Sequence, residues 1–134
     1  GAGPFPAVIY NHGSRDGQER TPFLFPHIGR MLTRAGYVVL VAERRGYGKS
    51  DGRTWREEAG RDQRALIVRL QSETDDVLAA LDYLRALAYV DAKRLGIAGW
   101  SFGGVVTMMA TARSTAFLAA VDQAGPLLAK AAGS

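Results

Sequence analysis

Gly99-Trp100-Ser101-Phe102-Gly103 sets a serine between two glycines, each two residues away. An apolar run, Leu95 to Ala98, leads in, and a small, apolar segment follows from Gly104 as if opening a helix. Where a strand turns at once into a helix, the residue at the bend takes a strained backbone. Glycines two before and two after let the elements approach without colliding Cβ atoms. The hydroxyl then stands clear of the sheet, and the first helical N–H groups face whatever binds there. That arrangement suits acyl transfer, with Ser101 as nucleophile and the Phe102 N–H as one donor to the oxyanion. Outside that context the same five residues are a tight glycine turn with an incidental serine.

An oxyanion needs a second, converging donor from a neighbouring strand's loop. Asn11-His12-Gly13-Ser14 follows the short β-branched run Pro6–Tyr10, so the N–H of Ser14 or Gly13 falls on the same rim as Ser101. Asp122 ends a further apolar run, where it either terminates a strand or offers a carboxylate. Arg44-Arg45-Gly46-Tyr47-Gly48-Lys49-Ser50 superficially suggests a phosphate loop. That motif needs a glycine where Glu43 stands and an apolar helix opening at Lys49, and neither is present.

The elements that must hold these residues follow from hydrophobic pattern. Pro6–Tyr10 reads as a buried strand, and Asn11–Gln18 as a loop. Phe23–Arg34 reads as a helix, with Leu24, Ile28, Met31, Leu32 and Ala35 on one face and Gly36 at its stop. Tyr37–Ala42 is apolar without alternation, as expected of a strand buried on both faces of a parallel sheet. Glu43–Gly60 is a long polar connection of the kind that carries function. From Arg61 to Ala88 the positions Leu66, Leu70, Val77, Leu81, Leu84 and Ala88 keep a helical phase. Ser72 with Asp75 offers a cap midway, so one helix or two are expected. A strand (Arg94–Ala98), a helix (Gly103–Arg113) and a strand (Ala116–Asp122) complete an alternation that implies an α/β three-layer sandwich around a parallel sheet.

Composition narrows the function classes. The chain of 134 residues is expected to form a single domain, 1–134, with 47% hydrophobic and 22% charged residues. It has no cysteine, which removes disulfides and thiolate metal sites. No metal or other cofactor is expected. No apolar run approaches bilayer length and no stretch reads as a signal peptide, so no membrane partner and a cytoplasmic location are expected. The net charge of +4 comes mostly from fourteen arginines scattered among acids. That pattern is a solvated surface rather than a nucleic-acid track.

Together these stretches resemble the α/β-hydrolase family, in particular its dienelactone-hydrolase-like and peptidase-like esterases. Pro4–Gly13 is similar to the family's third strand and oxyanion loop, and Arg44–Ser50 to its fourth strand's exit. Glu73-Thr74-Asp75-Asp76 through Asp91 is similar to the helix before the nucleophile, and Gly99–Gly104 to the nucleophile elbow. The resemblance implies about four parallel strands in spatial order second, first, third, fourth, a minimal hydrolase core. It implies Ser101 as nucleophile, with the N–H groups of Phe102 and of Ser14 or Gly13 as the oxyanion hole. Family members carry the acid after a seventh strand and the histidine after an eighth, positions without a counterpart in these residues. Any imidazole base is then His12 or His27, from this chain or a copy of it, and Asp122 is the best candidate acid. The expected function is a slow serine esterase acting on short acyl esters. The alternative is a non-catalytic hydrolase-fold module or a fragment lacking a complete triad. A sheet of so few strands has two bare edges, so self-association into a homo-oligomer is expected as well.

Overall fold

The computed structural model describes residues 3–22 and 25–123. In chain order the elements are β1 (Phe5–Asn11), α1 (Pro26–Arg34), β2 (Val38–Leu40), α2 (Trp55–Glu58), α3 (Gln63–Arg85), β3 (Val90–Trp100), α4 (Phe102–Arg113) and β4 (Phe117–Gln123). All four strands are parallel, in the order β2-β1-β3-β4. This is the α/β-hydrolase order the resemblance implied.

The order, with the handedness of the crossovers, decides which face each helix covers. Parallel neighbours need a right-handed helical connection. The step from β1 to β2 runs one way along the sheet, and the step from β2 back over β1 to β3 runs the other way. Helix α1 is thereby sent to one face, and α3 and α4 to the other. Loops leaving β1 and β3 diverge, which opens a crevice at the carboxyl ends of those two strands, where ligands of open α/β sheets bind. The turn after β1 and the bend after β3 both lie on that rim, with Asn11 paired in register to Gly99.

One face of the sheet carries the core. Ala7, Ile9, Leu95 and Ile97 point toward Leu70, Val77, Leu81 and Leu84 of α3 and Val105, Val106 and Ala110 of α4, all buried. The α3 residues recur at helical spacing, and burying each large side chain contributes about 1.5–3 kcal/mol. Successive strand residues alternate faces. Val8, Tyr10, Ala98 and Val121 therefore look the other way, bordering with Ile28, Met31 and Leu32 of α1 an open apolar groove of about 360 Å³. Among the described residues no helix is long and apolar enough to cross a membrane.

Several boundaries differ from expectation. Of the two arrangements expected over 61–88, one helix or two, α3 is the single helix, shorter at both ends, with Ser72 inside it. Its cap is Asp62, whose carboxylate accepts the N–H groups of Arg64 and Ala65 at 3.0 and 3.2 Å. The segment expected as a loop over 43–60 contains α2, opened by a reciprocal capping box. The Thr54 hydroxyl accepts the Glu57 N–H at 3.1 Å and the Glu57 carboxylate accepts the Thr54 N–H at 3.0 Å. Strand β2 is three residues long and half-buried rather than enclosed, because it lies at the sheet's edge. Helix α1 begins at Pro26, and Phe23 and Leu24 lie outside the described residues.

Candidate active site

Ser101 has φ 56° and ψ −121°. This is a region that L-residues adopt only when the surroundings over-determine it, at a cost of about 1–3 kcal/mol. The surroundings are a strand and a helix in close contact. A Cβ on Gly99 would lie 2.1 Å from the Gly103 carbonyl oxygen, and one on Gly103 would lie 2.0 Å from that of Asn11. Both glycines are therefore required by space. The Thr107 hydroxyl donates to the Gly103 carbonyl at 2.7 Å and accepts from the Asn11 amide at 2.9 Å, which pins α4 to the end of β1. The Ser101 N–H donates to the Gln123 carbonyl at 3.0 Å, tying the bend to β4. As the first helical residue, Phe102 has an N–H with no partner in its own helix.

The turn after β1 packs against this bend. A Cβ on Gly13 would meet the Trp100 ring at 3.2 Å. His12 is fully buried, edge-on to Tyr47 with ring centroids 4.3 Å apart. Its Nδ1 lies 2.7 Å from the Gly13 carbonyl oxygen and its Nε2 lies 3.3 Å from the Arg44 backbone nitrogen. These contacts assign the proton to Nδ1 and leave Nε2 as acceptor. Burial first, then the Arg44 guanidinium, pushes the His12 pKa down to about 2. The Trp55 indole N–H donates to the Ser14 carbonyl at 3.1 Å, and its ring stands edge-on to Phe102 at 5.4 Å.

Beneath the turn lies a buried ionic group that the sequence did not announce. The Glu73 carboxylate accepts from Arg44 Nε at 2.7 Å and from Arg69 Nε at 2.9 Å, with all three side chains fully buried. Arg44 also donates to the His12 carbonyl at 2.7 Å. Arg69 donates to the Arg53 carbonyl at 2.6 Å and to the Arg45 carbonyl. The signal available in the sequence was position. Residues 66, 69, 70, 73 and 77 form one helical stripe, so Arg69 and Glu73 share the face of Leu66, Leu70 and Val77.

Ser101, Phe102, Gly13 and Ser14 thus come together at the crevice, linked through Trp100 and Trp55. The expected acid–base partners fare differently. His12 is corrected as a candidate base, because its ring is enclosed and both nitrogens are engaged. His27 is exposed near the start of α1, with its ring 6.4 Å from that of Phe25. Asp122 is exposed at the carboxyl end of β4, in register with Gly99. Among the described residues, none makes a hydrogen bond with Ser101 Oγ, and no group of three or more His, Asp or Glu side chains could hold a metal ion. Of the aromatic residues, Tyr47 is core, whereas Trp55 and Phe102 are half-buried at the site.

A parallel α/β sheet with a serine at a strained strand-to-helix bend defines an α/β hydrolase. More narrowly, residues 24–131 match the prolyl oligopeptidase family, and the chain belongs to it. It is 32% identical to prolyl oligopeptidase A of Amanita bisporigera, over 93% of this chain and 16% of that protein. It is 29% identical to dipeptidyl-peptidase 5 of Porphyromonas gingivalis, over 90% of this chain and 17% of that protein. In structure it is similar to a Klebsiella pneumoniae protein assigned as a dienelactone hydrolase. The TM-score is 0.69 at 23% identity, covering 95% of this chain and 51% of that one. The chain spans less than a third of the length of those two peptidase relatives.

Proposed function

We propose that this chain is a serine hydrolase of carboxylesterase type, acting on short acyl esters through a Ser101 acyl-enzyme. The observation that carries the reading is the Ser101 backbone, φ 56° and ψ −121°, held between two glycines with no room for a Cβ. An incidental serine in a glycine turn needs neither the strain nor the close packing. In the proposed reaction Ser101 Oγ attacks the ester carbonyl carbon and its proton passes to a base. The N–H groups of Phe102 and of Ser14 or Gly13 hold the oxyanion. The alcohol leaves protonated, and water then attacks the acyl-enzyme, releasing the carboxylic acid and restoring the serine. With His12 withdrawn, His27 is the imidazole of this chain left for the base, and Asp122 the acid. Among the described residues no imidazole is bonded to Ser101, and until one reaches it oxyanion stabilisation and binding alone give about 10³-fold over water, so the reading is of a slow enzyme.

A second reading, a hydrolase-fold module without turnover, is favoured by one observation: among the described residues Ser101 Oγ has no hydrogen-bond partner. A fluorophosphonate probe separates the two. Labelling of the wild-type chain that disappears in Ser101→Ala supports the hydrolase, and an unlabelled wild type supports the inert module. We also propose that copies of this chain pair along β4, an edge strand of the described sheet with Leu118 and Val121 exposed.

A further inference from the structure

Three consecutive carbonyls in the turn after β1 are each held by a side-chain N–H. That of His12 accepts from Arg44 at 2.7 Å, that of Gly13 from the His12 ring at 2.7 Å, and that of Ser14 from the Trp55 indole at 3.1 Å. Within a planar trans peptide, the carbonyl of one residue and the N–H of the next point in opposite directions. Fixing the His12 and Gly13 carbonyls therefore fixes the N–H groups of Gly13 and Ser14, turned away from those donors. Among the described residues neither N–H has an acceptor. The Ser14 peptide is thus clamped from both sides, by Arg44 upstream and by Trp55 downstream.

Arg44 carries a second mark. Glu73 is already paired with Arg69 at 2.9 Å, so the three fully buried side chains hold two guanidinium groups and one carboxylate, with the half-exposed Glu58 carboxylate 3.7 Å from Arg69 as the compensating charge at the margin. One of its terminal nitrogens, Nη1, is buried without a partner. A buried charge beyond neutrality costs folding free energy, and an apolar side chain of similar size would avoid that cost. What Arg44 supplies for it is the bond to the His12 carbonyl, beside the turn. Trp55 likewise reaches both halves of the site, with its N–H on Ser14 and its ring against Phe102.

We propose that Arg44 and Trp55 are positioning residues that aim the backbone amides of Gly13 and Ser14 at the oxyanion formed on attack by Ser101. This rests on the serine-hydrolase reading. Neither side chain touches the reacting atoms. Arg44 acts through the His12–Gly13 peptide it holds, and Trp55 by anchoring the following peptide at the Ser14 carbonyl, which limits rotation of Ser14.

Trp55→Phe removes the indole N–H while keeping a ring against Phe102. Arg44→Met removes the guanidinium and leaves Arg69 and Glu73 as a neutral pair. Each variant of the 134-residue chain is assayed for hydrolysis of a short p-nitrophenyl ester, for affinity toward a boronic acid that mimics the tetrahedral intermediate, and for its urea unfolding midpoint. We expect kcat to fall about tenfold in each, short of the 10²–10³ lost when an oxyanion donor is deleted outright. KM should stay within about twofold, and boronate affinity should fall in step with kcat, as for an interaction made only in the transition state. Arg44→Lys, which keeps a donor near the His12 carbonyl, should recover part of the rate lost in Arg44→Met. Unchanged kcat in Trp55→Phe, or a rise in KM alone, overturns the proposal by making Trp55 a bystander or a pocket wall. Trp55→Phe decides the matter should Arg44→Met fail to fold. A labelled, active wild type with unaffected variants overturns this proposal only. A wild type that neither hydrolyses the ester nor takes a fluorophosphonate overturns the hydrolase reading and this proposal with it.

Discussion

The two flanks of the crevice are held in different ways. On the β2 side, His12, Arg44, Arg69 and Glu73 are each no more than 1% exposed and bonded at nearly every polar atom. On the β4 side, every residue from Leu118 to Gln123 is exposed, and α1 buries no residue outright. Directional bonds to charged groups fix atoms closely but give little net stability once desolvation is counted. Apolar surface gives stability in proportion to what covers it. The flank that presents backbone donors is therefore preorganised within this chain. The flank beside the candidate acid is open, so among the described residues the amides proposed as donors are held by side chains while the proposed acid and base stand exposed.

The largest expected break in this comparison comes from the ionic group. Glu73→Gln leaves two buried guanidinium groups facing one neutral amide. Removing one partner of a buried ion pair costs about 3–5 kcal/mol. The measurement is urea unfolding, read as a shift in midpoint at constant m-value. A loss under about 1 kcal/mol, the worth of an exposed pair, would place the group in contact with water and erase the contrast between the flanks.

His12 gives a smaller, pH-dependent effect. Its folded-state pKa is pushed down to about 2 from the ordinary 6.5, so the unfolded chain binds its proton first as pH falls. The stabilising contribution of neutral His12 is complete above pH 6.5 and is lost progressively between 6.5 and about 2. The steepest slope is about 1.4 kcal/mol per pH unit. Between about pH 7 and about pH 5 this group alone should remove about 2 kcal/mol. His12→Gln should flatten the pH dependence by that one proton, measured as the difference between the two chains' unfolding free energies. Parallel curves for the two chains would mean that the ring titrates normally in the fold.

Much of this architecture was legible because close approach leaves its mark on residue type. Gly99 and Gly103 are glycines since a Cβ at either would enter a carbonyl oxygen, and that demand stands in the sequence as the spacing around Ser101. The strand order came instead from the family resemblance those motifs carry, since apolar runs and crossover handedness restrict the order without fixing it. What stayed hidden depended on partners distant in sequence. Nothing near His12 tells that the backbone N–H of Arg44, 32 residues on, occupies its Nε2. Arg69 and Glu73 stand at i,i+4 on the apolar stripe of α3, which marks them as buried, but nothing near them tells that Arg44, 29 residues before Glu73, joins the pair. Helix α2 was legible and was passed over. Thr54 and Glu57 form the capping box, but the glycine, arginine and aspartate content of Glu43–Gly60 reads as a loop and hides it.

The smallest effect on stability tests the open flank most directly. Val121 is 59% exposed on β4, at the sheet's edge. A Val121→Lys substitution there buries no charge and opens no cavity, so the unfolding free energy of the separated chain should change by no more than about 0.5 kcal/mol. Lysine on an edge strand nonetheless discourages pairing with another chain, because its charge would have to be desolvated against the neighbour. Light scattering at about 50 μM should therefore show association of the wild type and its loss in Val121→Lys, a change in assembly without a matching change in fold. Wild-type chains that remain monomeric at that concentration would mean that the exposed edge of β4 does not recruit a second copy. A variant that unfolds would mean that this flank is packed after all, and that the two sides of the crevice are less unlike than their exposures imply.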